Sequence, residues 1–136
     1  MVVAENIRIY DTGCDMPSQV LAAIKSGNFD LKVWLGLPLI ENQDFAGPLN
    51  DILRAITTCG LDHINGLSIG NEFLLSDAAR RSSQEKVKMI AARVKAVKAE
   101  LPPEAAKLSI GYVDIAPYFQ EAPGAVDGLV SHDFRY

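Results

Sequence analysis

Short apolar runs rich in β-formers alternate with helix-period segments along the whole chain, and this confines it to folds built from βα units. The first run, Asn6-Ile-Arg-Ile-Tyr-Asp11, closes in the turn signal Asp-Thr-Gly. Leu31 to Leu37 is the second, apolar enough to be buried on both faces. Ile64 to Ile69 is the third; it stops at Gly70, which leaves Asn71 and Glu72 at its C-terminal end. Leu108 to Val113 and Val126 to His132 read as a fourth and a fifth strand.

The intervening segments carry helical spacing and helix punctuation. Val20, Leu21, Ala23 and Ile24 follow Pro17-Ser18 and precede the stop signal Gly27-Asn28. A second helix is predicted from about Phe45 to Thr58, with Leu49, Ile52, Leu53 and Ile56 on one stripe, Pro48 in its first turn and Gly60 beyond its end. Ser82-Ser-Gln-Glu85 has capping-box spacing and opens the longest helix. Its stripe is Val87, Ile90, Ala91, Val94, Val97 and Leu101, and Pro102-Pro103 ends it. Lys86, Lys88, Arg93, Lys95 and Lys98 are expected on its solvated face, and Arg80-Arg81 at its approach. A short helical turn is expected near Pro117 to Gln120.

Strands alternating with helices imply an α/β fold with a parallel sheet of right-handed βα units. Periodicity leaves two forms open, an open doubly wound sheet and part of a barrel. No Gly-x-Gly-x-x-Gly or phosphate-binding loop follows any strand, so nucleotide binding has no sequence support.

Composition narrows the function classes. At 136 residues and 49% hydrophobic, with neither linker nor low-complexity segment, the chain is read as a single domain over residues 1–136. A net charge of -4 supplies no basic footprint for nucleic acid or an anionic membrane surface. No apolar run approaches the roughly 20 residues that cross a bilayer. His63, read as a loop residue, and His132 are far apart, and no Cys-His cluster supports a metal site. Cys14 is expected past one strand's C-terminal end and Cys59 on the opposite face, about 20 Å away, beyond disulfide reach; two free thiols are predicted. Trp34, inside an apolar strand, is expected to pack in the core or between sheet and helices.

Chemistry concentrates at the end of the third run. Parallel α/β proteins present their functional groups at the C-terminal ends of the strands. There a carboxyl group can give or take a proton while a neighbouring amide fixes a sugar hydroxyl, the pairing that Glu72 and Asn71 offer.

Ile7-Arg-Ile-Tyr-Asp with Cys14-Asp15, Val33-Trp-Leu-Gly-Leu, and Gly66-Leu-Ser-Ile-Gly-Asn-Glu-Phe-Leu together resemble the glycoside hydrolase family 17 β-1,3-glucanases, in particular their fungal branch. The resemblance runs in order over nearly the whole chain and implies the second to sixth strands of a (β/α)8 TIM barrel, incomplete as a single chain. It implies a retaining mechanism on β-1,3-glucan, no cofactor, and a secreted or cell-wall setting. Glu72 then stands at the position of the general acid/base and Asn71 at that of the amide before it, with Tyr10, Asp11, His132 and Tyr136 facing the substrate. His132-Asp-Phe-Arg-Tyr136 departs from the Asn-x-Tyr-Pro-Tyr-like segment usual there. The family's nucleophilic Glu belongs to a strand past Tyr136, so the chain is expected to be inactive alone, with a non-catalytic β-glucan-binding or assembly module as the alternative. Open barrel edges predict a homo-oligomer.

Overall fold

The computed structural model describes residues 4–40, 44–74 and 82–114. Among these residues four strands, β1 (Asn6–Arg8), β2 (Lys32–Leu37), β3 (Ile64–Asn71) and β4 (Ser109–Val113), alternate with three α-helices, α1 (Met16–Ser26), α2 (Ala46–Cys59) and α3 (Ser83–Glu100). The expected fifth strand, the turn near Pro117, and Arg80-Arg81 lie outside the described residues.

All four strands are parallel and their spatial order is their sequence order, β1-β2-β3-β4. Such order settles what periodicity left open. A doubly wound sheet reverses direction at a switch point, whereas successive right-handed units that each advance one strand the same way build a barrel wall with every helix on one face. The architecture is that of a partial TIM barrel.

Helix boundaries follow local chemistry. Ser82 caps α3 through its hydroxyl, which accepts from the Glu85 N–H, and the Ser82 N–H donates in return to Glu85 Oε2 at 2.9 Å. No side-chain cap comes from Phe45, the residue before α2; Asp44 takes that role, accepting from the N–H groups of Ala46 and Gly47. Gly60, at φ 78°, ends α2.

The sheet's two faces differ in composition. Val33, Leu35, Leu37, Leu67, Ile69 and Ile110 are buried in one core with Leu21 and Ile24 of α1, Ile52 and Ile56 of α2, and Ile90, Val94 and Val97 of α3. Strand alternation turns Arg8, Trp34, Gly36, Gly66, Ser68 and Gly111 to the other side, where Arg8 pairs with Trp34, Trp34 with Gly66, and Ser68 with Gly111. Trp34 therefore departs from its expected place in the core or between sheet and helices: it is outside the helix-packed core, and its half-buried indole lies across Gly66, whose side chain, if it had one, would meet the ring at 2.5 Å.

Two further expectations change. Lys86 is buried rather than solvated, its ammonium donating to the Leu74 carbonyl at 3.0 Å. α1 begins part-way along α2: Asp15 reaches Arg54 at 2.9 Å, and the Cys59 thiol lies 3.8 Å from the Ser18 carbonyl. Cys59 thus packs against the first turns of α1 and not on a remote face; both thiols are free.

Candidate functional site

Parallel strands bring their C-terminal ends to one edge, and the residues that follow β1, β3 and β4 meet there. β3 does not stop at Gly70. Ser68 pairs with Gly111, but the next pair is Asn71 with Val113, so β3 spends one residue more than β4 over this interval. Gly70 is that extra residue, at φ 79°, a left-handed conformation that a side chain resists. The bulge shifts side-chain parity. Unbulged, Asn71 would follow Ile69 onto the helix-packed face; one extra residue returns it to the face of Ser68 and Arg8.

That placement creates a contact across the sheet. The Arg8 Nη2 group donates to Asn71 Oδ1 at 2.7 Å, and the Arg8 guanidinium lies 4.3 Å over the Tyr10 ring. Tyr10, just past the end of β1, is 59% exposed. Close passage of the chain after β1 requires Gly36, where a Cβ would come within 2.3 Å of the Ile9 carbonyl oxygen.

Glu72 follows with φ 52°, a conformation unusual for a residue with a side chain. Its backbone N–H donates to the Val113 carbonyl at 2.8 Å, and its side chain is exposed. The next two residues are buried and anchored. The Leu74 N–H donates to the Tyr112 hydroxyl oxygen at 2.8 Å and to Asp114 Oδ2 at 3.0 Å, while the Tyr112 hydroxyl donates to Asp114. Burial, and then the hydrogen bond to Asp114, push the Tyr112 phenol far above its ordinary range and keep it neutral. Glu72 is thus the exposed residue between a strand ladder and a buried polar anchor.

The sequence-predicted residues separate under this geometry. Asn71, Glu72 and Tyr10 gather at the strand ends with Arg8, which the sequence reading did not single out. Asp11 is exposed, but its Oδ1 accepts from the Thr12 N–H at 2.6 Å and the Gly13 N–H at 3.3 Å, fastening the turn into α1. His132 and Tyr136 lie outside the described residues. Among the described residues there is no cluster of three His, Cys, Asp or Glu side chains that could hold a metal ion, and no helix long and apolar enough to cross a membrane.

The fold and strand-end geometry define a parallel α/β chain of partial-barrel type. No protein-family model matches the sequence, and no curated protein matches it. Among solved structures the chain is similar to an active-site mutant of Rhizomucor miehei β-1,3-glucanosyltransferase in complex with laminaritriose, with a TM-score of 0.65 at 15% identity. The match covers 95% of this chain and 56% of that one, so the chain spans little more than half of its structural relative.

Proposed function

We propose that the strand-end site is the acid/base side of a β-1,3-glucan cleft, in which Asn71 holds a sugar hydroxyl and Glu72 exchanges a proton with the glycosidic oxygen. One observation carries this reading: the Gly70 bulge turns Asn71 to the inner face and leaves Glu72 exposed at the mouth of a barrel wall. Likeness in fold to a β-1,3-glucanosyltransferase in complex with laminaritriose supports the substrate class. The finer assignment, a retaining hydrolase of family 17 type, rests on the sequence resemblance.

In a retaining reaction the Glu72 carboxylic acid would protonate the leaving oxygen as a second carboxylate attacks the anomeric carbon. The resulting Glu72 carboxylate would then take a proton from the water that releases the sugar. The two carboxyl groups must stand about 5–5.5 Å apart. Described carboxylates near the strand ends are engaged elsewhere: Asp11 fastens a turn, Asp15 bonds Arg54 and Ser18, and Asp114 bonds Leu74 and Tyr112. That favours, for these residues alone, recognition of β-glucan without cleavage. A secreted or cell-wall setting and self-association through strand edges belong to the same proposal.

Calorimetric titration with laminaritriose, run beside product analysis on linear β-1,3-glucan, tests it. We expect binding by the chain and no sugar release by it alone; if release is seen, Glu72→Gln abolishes it. Absence of any laminaritriose binding at millimolar ligand would sink the β-glucan reading.

A further inference from the structure

We propose that Arg8 is a positioning residue that sets the hydrogen-bonding polarity of Asn71, presenting its Nδ2 group to the cleft as a donor. The ligand in this inference rests on the β-glucan reading above; the orientation does not. A guanidinium has only donors, so the carboxamide atom facing Arg8 Nη2 at 2.7 Å must be the oxygen. Its oxygen so engaged, Asn71 keeps two N–H groups for a ligand and favours an acceptor, such as a sugar hydroxyl or ring oxygen. Without Arg8 the terminal torsion of an asparagine is broad and two-fold, and both orientations become accessible.

Arg8 is itself held in place. Alternation along the first strand puts Arg8 and Tyr10 on one face, and the ring lies beneath the guanidinium. Its Nε–H is buried and has no hydrogen-bond partner among the described residues. An unsatisfied buried donor costs stability, so Arg8 is not accounted for by its contribution to the fold. The costly group instead makes one directed contact, 63 residues along the chain, to the amide that precedes Glu72.

The test compares the full chain with Arg8→Met and Arg8→Lys, using three readouts: the orientation of the Asn71 carboxamide from its side-chain nuclear Overhauser contacts, the thermal midpoint, and laminaritriose affinity. In the unsubstituted chain one carboxamide orientation is expected. Arg8→Met should average the two orientations, leave the midpoint unchanged or raised, and weaken laminaritriose binding roughly tenfold, about the value of one directed hydrogen bond. Arg8→Lys, which can still donate to Oδ1, should recover part of that loss. A single unchanged Asn71 orientation in Arg8→Met overturns the inference, as does a loss of affinity accompanied by an equal loss of folded chain. If the unsubstituted chain binds no laminaritriose, the β-glucan reading fails alone, and the Asn71 orientation still decides the role of Arg8.

Discussion

Leu67 and Ser68 are neighbours on one strand, both almost fully buried, and they serve opposite faces of the sheet. Leu67 belongs to the core shared with the helices. Ser68 lies on the face that holds Arg8, Trp34 and, past the bulge, Asn71. The difference teaches where the sheet keeps its stability and where it keeps its polar side chains. The helix-packed face is a close-packed aliphatic layer whose value is area removed from water. The inner face alternates small residues with an indole and a guanidinium, a composition suited to leaving room at the strand ends.

The largest expected effect is on the helix-packed face. Leu67→Ala should cost about 2–5 kcal/mol in denaturant unfolding, because it opens a cavity in a fully buried layer. Ser68→Ala, one residue away, should cost about 1 kcal/mol or less, since its long hydroxyl contact to the Gly70 carbonyl is modest. Equal losses at the two positions would break the contrast between the faces.

Next in size is the bulge. Gly70→Ala places a side chain in a left-handed conformation and presses it against Leu39 and Tyr112 at 3.2 and 3.3 Å. We expect a loss of about 1–3 kcal/mol together with loss of the Arg8–Asn71 contact, seen as a shift of the Asn71 side-chain resonances. A stable Gly70→Ala chain that keeps that contact would show that Asn71 reaches the inner face without the bulge.

The smallest effect lies outside both faces, where α1 meets α2. Hydrogen bonds from Arg54, and then Ser18, hold the Asp15 carboxyl below its ordinary range. A depressed folded value means that the pair contributes above the unfolded value and is lost as pH falls through the folded one. Asp15→Asn should therefore lower the thermal midpoint slightly at neutral pH and converge with the unsubstituted chain at acid pH, which flattens the acid limb, and salt should shrink the neutral-pH difference.

Much of this was legible in the sequence. The capping box at Ser82 and Glu85, the Gly60 stop and the apolar stripes of the helices depend on residues close along the chain, and local chemistry sets them. Strand order and side-chain parity depend on partners far along the chain. Gly70 reads as a stop because only its register against β4 reveals a bulge. Arg8 reads as one polar position in an alternating run, though that same alternation placed it with Tyr10 on one face and could have drawn notice. Lys86 misled for a similar reason: its helix position looks solvated until the Leu74 carbonyl arrives from the β3 end to accept a hydrogen bond from its ammonium. Cys59 reads as remote from Cys14 because strand length alone sets the separation of the two faces, and the packing of its thiol against the Ser18 carbonyl depends on residues 41 positions apart.

The central claim is that the inner strand ends, and not the helix-packed face, form the ligand surface. Titrating isotope-labelled chain with laminaritriose while following every amide resonance tests it most directly. The account predicts saturable shifts centred on Arg8, Tyr10, Asn71 and Glu72, with α1 and α2 unmoved. Shifts confined to the helices, or none at all, would contradict it.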